Sequence, residues 1–219
     1  TKKLLNGEAG TKVGFESNPN VVNASGTENT GAGSYTIKVT QKAKQAQILG
    51  DDLDTTKIGT LADKVTIKIN GNDIEFAVDK GSAQNTAENF KNAVHNANIG
   101  ITVSVAGDGK ITLTSNEYGS EQSITVIANT ATDVLGLTAD DTTDISASGV
   151  DVAGYFELNG VRVSATGKGT TLVGTNDLKV TLTGTAATSG NPTDTAPVEL
   201  NSITVTKNYL TMHIGANKD

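Results

Sequence analysis

The feature of this sequence that most constrains its fold is a repeated alternation of apolar and polar residues. Successive side chains of a β-strand point to opposite faces of a sheet, so a period of two places one row in a core and the other in water. Threonine fills many of the polar positions, and this β-branched residue suits the wet face of a strand. Segments with this pattern are 34–40, 64–69, 101–105, 110–114, 123–126, 178–182 and 203–206.

Turn dipeptides separate several of these segments. Asn70-Gly71, Asp108-Gly109 and Asn159-Gly160 each lie between two short runs that alternate in polarity. Asparagine, aspartate and glycine accept the positive φ angles that tight hairpin turns require. The sequence therefore predicts antiparallel hairpins at these three places.

One helix is predicted over 85–97. Its apolar side chains recur at the spacing of a helical face, and Gly100 is expected to end it. Ser82, Asn85 or Thr86 could cap its first turn. The apolar face consists of Ala87, Phe90, Val94 and Ala97.

A second segment, Gln41–Leu49, is ambiguous. Its alanines and Ile48-Leu49 fit a short helix, but the same residues could continue the preceding strand. The expected fold class is therefore mainly β with minor α, built from antiparallel hairpin modules with one helix packed on the first module and paired strands at a base.

Composition excludes several functions. The 219 residues carry a net charge of −7, with 4% aromatic residues, no cysteine and two histidines. An acidic chain with few aromatics is a poor nucleic-acid binder, and no apolar run is long enough to insert in a membrane. Low hydrophobicity with net charge is also typical of disorder, but the alternating pattern favours a folded chain.

Chemically suggestive residues do not form recognisable sites. His95 and His213 are far apart, and Gly167-Lys168-Gly169-Thr170 lacks the upstream glycine of a phosphate-binding loop. We therefore predict no catalytic residue, no cofactor-binding residue and no enzyme activity.

Two acidic clusters, 51–54 and 140–144, could bind Ca²⁺ through carboxylate oxygens. Asp52, Asp54 and Asp63 have ligand-like spacing, but Lys57 stands where a calcium loop needs glycine. Solvated loops are the favoured interpretation, so no metal site is predicted. Asn23-Ala24-Ser25 matches a glycosylation sequon, which is a weak signal.

Residues 62–127 form one predicted unit of hairpin, helix, hairpin and strand. A plausible division of the chain has a base of core-proximal strands at 1–17 and 200–219. Residues 18–150 would then be an outer module, and residues 151–199 a second, smaller β module.

Both ends of the chain resemble bacterial flagellin. Lys3-Leu4-Leu5-Asn6-Gly7 is similar to the segment that leads into a β-hairpin of the filament core in that family. Met212-His213-Ile214-Gly215-Ala216-Asn217 is similar to the segment that returns from it, with His213 where the family usually has glutamine. Leu4, Leu5, Met212 and Ile214 would belong to the base.

The interior adds a second resemblance. Residues 65–114 resemble the "IN" motif of flagellin and hook-associated proteins, and 33–43 resembles a segment of the filament cap protein. About 200 residues separate the two end motifs, which implies outer domains inserted in the core hairpin. The long terminal helices of the family are absent, and the chain has no initiating Met or N-terminal signal, so we expect a fragment of a longer exported protein.

The resemblance implies a function in structure and motility: this chain would be the surface-exposed, hypervariable outer domain of a flagellar filament subunit. It would be secreted to the extracellular flagellum, contact other flagellin subunits in the full-length protein, and be monomeric alone, at 22 kDa in light scattering. Alternatives are a filament cap or hook-associated protein, or a filament-displayed adhesin that contacts host surfaces or glycans.

Overall fold

The computed structural model describes residues 12–183, 186 and 192–208. The chain divides into two compact units. Unit 1 consists of Thr1–Lys42 and Val152–Asp219, and unit 2 is Ala43–Asp151.

Antiparallel strands dominate both units. The strands of unit 1 are β1 (Lys12–Glu16), β2 (Val22–Ser25), β3 (Gly33–Gln41), β11 (Ala153–Leu158), β12 (Val161–Lys168), β13 (Thr171–Gly174), β14 (Lys179–Leu182) and β15 (Val198–Asn208). The strands of unit 2 are β4 (Gln45–Leu49), β5 (Lys64–Ile69), β6 (Asn72–Ala77), β7 (Ile101–Val105), β8 (Ile111–Tyr118), β9 (Ser123–Val126) and β10 (Ile145–Ser148). Unit 2 also contains helix α1 (Ala83–Ala97), the short helix α2 (Thr130–Val134) and a 3-10 turn at Ile58–Thr60.

Unit 1 is one eight-stranded sheet in the order β1-β15-β3-β11-β12-β13-β14-β2. The two strands at the ends of this order, β1 and β2, are consecutive in the chain and contact each other, so the sheet curls around an enclosed core. That core contains the buried residues Val22, Tyr35, Ile37, Val39, Val152, Phe156, Leu172, Leu178, Val180, Leu182, Ile203 and Val205.

Unit 2 contains two separate sheets. One has the order β10-β9-β5-β6, the other β4-β8-β7, and α1 contacts both β6 and β7. The core side chains come from both sheets and both helices, which makes this unit an α+β structure. The predicted hairpins β5–β6 and β7–β8 and the helix between them are confirmed, and so is the mainly β fold class.

Polar residues cap helix α1 at both ends. Ser82 is its N-cap, since its hydroxyl accepts a hydrogen bond from the Asn85 N–H at 3.1 Å. Asn98 adopts the left-handed conformation at the C-cap, so the helix stops at Ala97 before the expected Gly100. On the buried face, the Phe90 ring packs edge-on against Phe76, with 5.2 Å between the centroids.

Of the two interpretations of Gln41–Leu49, the helix is wrong. Strand β3 runs through Gln41, and Gln45–Leu49 is strand β4, which pairs with β8. Ala46 and Ile48 are buried, whereas Gln47 and Leu49 are exposed, as the two faces of a strand require. Pairing with β8 satisfies the backbone of this segment, and this tertiary contact decides between two local patterns of similar strength.

The chain enters and leaves unit 2 at one place. The Lys44 N–H donates to the Val150 carbonyl at 2.8 Å, and the Val150 N–H donates back to the Lys44 carbonyl at 2.9 Å. Unit 2 is therefore inserted in unit 1 through two adjacent backbone segments. The three-part division predicted from the sequence is a different partition, in which residues 18–42 belong with unit 2; here strand β3 of that segment pairs with β11 and β15.

Candidate functional site

The pairing of strands β1 and β15 is the first candidate feature. Strand β1 pairs antiparallel with β15, and Lys12 lies opposite Asn208. These two strands contain nearly all of the described parts of the segments 1–17 and 200–219, and their pairing agrees with strands that lie side by side; that they form a base stays a prediction. The predicted base residues Leu4, Leu5, Met212 and Ile214, and both flagellin-like segments, lie outside the described residues.

The candidate calcium ligands are not brought together as a site. Lys110 pairs with Asp52 at 3.3 Å, and Lys80 pairs with Asp63 at 2.7 Å. The Lys57 ammonium pairs with Asp54 at 3.2 Å. The three carboxylates thus have three different lysine partners, and within residues 12–183, 186 and 192–208 no group of three or more acidic or histidine side chains could hold a metal ion.

Local hydrogen bonds organise the Asp54 turn. Its Oδ1 accepts from the Thr56 hydroxyl at 2.6 Å, from the Thr56 N–H at 3.0 Å and from the Lys57 N–H at 3.2 Å. Bonds from Thr56, and then from Lys57, stabilise the carboxylate and lower the pKa of Asp54 to about 2. This aspartate therefore shapes a turn.

Asp140 in the second acidic cluster has a similar role. Its Oδ1 accepts from the backbone N–H groups of Thr142 at 2.8 Å and Thr143 at 2.6 Å. The Thr142 N–H is the main cause of the lowered pKa of this carboxyl. Both acidic clusters thus bind their own backbone, the arrangement typical of Asx turns.

The remaining sequence candidates that the structure describes lie on different elements. His95 is exposed on α1, and His213 lies outside the described residues. The Gly167–Thr170 segment ends strand β12 and turns into β13, so it does not open a helix as a phosphate-binding loop would. Asn23 and Ser25 of the sequon are exposed on strand β2.

A polar groove between β6 and α1 was not predicted. It encloses about 490 Å³, and its helix side includes Asn89, Asn92 and Asn96. The Asn89 side-chain amide donates to the Ala77 carbonyl at 3.1 Å, which anchors the helix to the strand. The i, i+3, i+7 spacing of these asparagines was the available signal, since it places them on one helix face.

No membrane-crossing helix is found in the part of the chain that the structure describes, because none there is long and apolar enough.

Comparisons with known proteins identify the fold. No known family profile matches the chain, and no curated protein matches it in sequence. Among solved structures, the D2-D3 domains of the flagellar cap protein FliD from Escherichia coli match with a TM-score of 0.53 and 18% identity, over 91% of this chain and 99% of that one. The D1-D2-D3 structure of the same protein matches with a TM-score of 0.51 and 20% identity, over 90% of this chain.

The chain spans 57% of the longer D1-D2-D3 structure, so it covers just over half of that protein's described length. At these identities the likeness concerns the fold: two units with the architecture of flagellar cap D2-D3 domains. The flagellar fold expected from the sequence agrees with this finding. Both of these structures are of a flagellar cap protein and not of flagellin.

Proposed function

We propose that this chain is the surface-exposed outer region of a structural protein of the bacterial flagellum, similar in architecture to the filament cap. The observation that carries this proposal is the fold likeness to cap D2-D3 domains, because it extends over nearly the whole of both chains. The protein acts outside the cell, and its role is mechanical and interfacial.

The pairing of strands β1 and β15 supports an outer position. Lys12 and Asn208 are opposite each other on paired strands, so the segments that flank this pair, 1–11 and 209–219, continue from neighbouring backbone positions. An outer domain carried on two core segments needs this arrangement. The partners in this proposal are other subunits of the flagellar axis, which contact those flanking segments.

The exposed surface suits dense display in water. On the outer face of unit 1, Lys38 lies between Glu157 and Glu199 with Nζ–Oε distances of 3.6 Å and 2.5 Å, and the Arg162 guanidinium stacks 4.0 Å above the Tyr155 ring. Mixed-sign surface pairs with a net charge of −7 keep crowded copies soluble.

Flagellin is the second candidate function. Residues 3–7 and 212–217 resemble the segments that flank the outer domains of that family, and the shared IN-like pattern at 65–114 does not separate the two proteins. In this alternative the same two units decorate the whole length of the filament.

Immunogold electron microscopy with an antibody raised against residues 12–208 tests the proposal on cells that make this protein. Gold at the distal filament tip alone supports a cap, and gold along the filament supports flagellin. Labelling away from flagella, with filaments unlabelled, contradicts both. Pre-absorbing the antibody with the purified chain is the control for specificity.

A further inference from the structure

Two Asn-Gly turns in this protein have the same backbone conformation, but their side chains have different surroundings. Leu158 pairs with Val161 and Ile69 pairs with Asn72, so each turn is a two-residue hairpin loop. The φ angles are 52° and 78° at Asn159-Gly160, and 49° and 80° at Asn70-Gly71. These values are typical of type I′ turns.

The Asn70 side chain is held at both ends. Its Nδ2 donates to the Ser123 carbonyl at 2.9 Å, and its Oδ1 accepts from the Thr125 N–H at 2.7 Å. The Asn70 backbone N–H also donates to the Thr125 carbonyl at 2.9 Å. The amide plane is thereby fixed against the backbone of strand β9.

The Asn159 side chain has no such anchor. It is exposed, and no group among the described residues hydrogen bonds to its amide. Its neighbour Gly160 is also exposed, and a methyl group placed on its Cα would touch nothing within 4 Å. The Asn159 side chain is therefore free to rotate towards the amide nitrogen of Gly160.

We propose that Asn159 is a site of spontaneous deamidation in the folded protein and that Asn70 is protected. The Gly160 backbone nitrogen loses its proton and attacks Asn159 Cγ, a C–N bond forms, and the side-chain nitrogen leaves as ammonia. Water then opens the resulting succinimide ring to aspartate or isoaspartate. The step needs no oxidant or enzyme, and glycine favours it because it has no side chain to hinder the approach.

Anchoring explains the protection of Asn70. Ring closure there must first break both side-chain hydrogen bonds, whereas the constraint of the type I′ turn is common to both sites and cancels in the comparison. Two modest hydrogen bonds slow the reaction by a factor on the order of ten or more. Each reaction at Asn159 takes the net charge from −7 to −8, at the tip of the β11–β12 hairpin.

Peptide mapping of the 219-residue chain tests the proposal. The protein is incubated in mildly alkaline buffer, digested with trypsin and analysed by fragmentation mass spectrometry for replacement of –NH₂ by –OH. The two sites fall on different peptides, 69–80 and 111–162. We expect Asn159 to react on the order of tenfold faster than Asn70.

A parallel incubation in concentrated urea is the matched control. Unfolding removes the anchors, so the two rates should become similar while the local Asn-Gly chemistry is unchanged. An Asn159→Gln variant, checked for folding by circular dichroism, should show no modification at that position. A folded protein in which Asn70 reacts as fast as Asn159, an unreactive Asn159, or a rate difference that persists in urea would each overturn the proposal. Asn6-Gly7, which lies outside the described residues, is followed separately.

Discussion

Single side chains stabilise this protein where they form hydrogen bonds between neighbouring segments. Asn70 is an example at the surface of unit 2, because its amide connects the β5–β6 turn to strand β9. Tyr35 is an example in the core of unit 1. Its hydroxyl donates to the Gly31 carbonyl and accepts from the Asn176 Nδ2, both at 2.9 Å.

Replacing Asn70 by alanine should cost more than the same change at Asn159. Both substitutions place alanine at a positive φ, which costs about 1–2 kcal/mol at either site. Only Asn70→Ala also removes hydrogen bonds, and this should add about 1–3 kcal/mol to the loss in free energy of unfolding. Urea unfolding of the two variants measures the difference, and equal losses would refute the anchoring role.

Tyr35→Phe should destabilise unit 1 by about 1–3 kcal/mol, because the partly buried Gly31 carbonyl and Asn176 amide lose their hydrogen-bond partner. Tyr155→Phe is the matched control. Tyr155 is only partly buried, and its ring stacks with Arg162, a contact that phenylalanine largely keeps. Thermal or urea unfolding of both variants provides the measurement.

The same tyrosine should make stability depend on alkaline pH. Burial raises the pKa of the Tyr35 hydroxyl above its ordinary value of 10.0. Its stabilising contribution is therefore complete below pH 10, and it is lost as the pH rises from there through the higher pKa of the folded state. The decline in unfolding free energy over this range should be smaller in Tyr35→Phe, and an unchanged decline would contradict this assignment.

Helix α1 shows how a single element organises unit 2. It is the segment that contacts the outer strands of both sheets, β6 and β7, and its buried face carries Phe90 and Val94. Packing of the Phe90 ring against Phe76 joins the helix to the first of these sheets. The stability of the unit should therefore respond strongly to changes on this face.

Phe90→Ala should lower the free energy of unfolding by about 3–5 kcal/mol, because it leaves a cavity in a fully buried site. Asn92→Ala, on the exposed face of the same helix, is the control and should change it by no more than about 0.5 kcal/mol. Denaturant unfolding monitored by circular dichroism tests both. Similar effects of the two substitutions would contradict the described packing.

The elements predicted correctly from the sequence are those that residues within or next to the element determine. Asn70-Gly71 and Asp108-Gly109 adopt their turns between alternating segments, and Ser82 caps the helix from its own first turn. Elements set by distant contacts were missed. Strand β13 and the end of β12 are examples, because a Cβ on Gly167 would lie 1.5 Å from the Val152 carbonyl oxygen. A glycine of this kind marks close packing, yet in sequence it resembles a loop.

Distant contacts also explain why the acidic side chains do not form the metal site that was considered. Asp52 and Asp63 are close in sequence, so a shared metal ion was a reasonable hypothesis. Their lysine partners, Lys110 and Lys80, come from segments that only the folded chain brings near. The β6–α1 groove likewise depends on the packing of the helix against the strand, and the sequence indicates only the helix face that carries the asparagines.

At the scale of the whole molecule, unit 2 should fold by itself. Its core is formed by its own residues, and the paired backbones of Lys44 and Val150 bring its ends together, as is typical of inserted domains. A chain of residues 43–151 should unfold cooperatively in urea and retain dispersed amide resonances in NMR. A collapsed or unstructured fragment would show that unit 2 depends on the rest of the chain.

The pairing of Lys12 with Asn208 also determines how the protein would respond to a pulling force. Tension applied between the two flanking segments acts on β1 and on its neighbour β15. The force is therefore borne first by the hydrogen bonds between the paired residues nearest Lys12 and Asn208. Such a force peels β1 from β15 one pair at a time. Because the path of this force does not run through Lys44 and Val150, unit 2 carries none of the tension while β15 remains paired with β1 and β3.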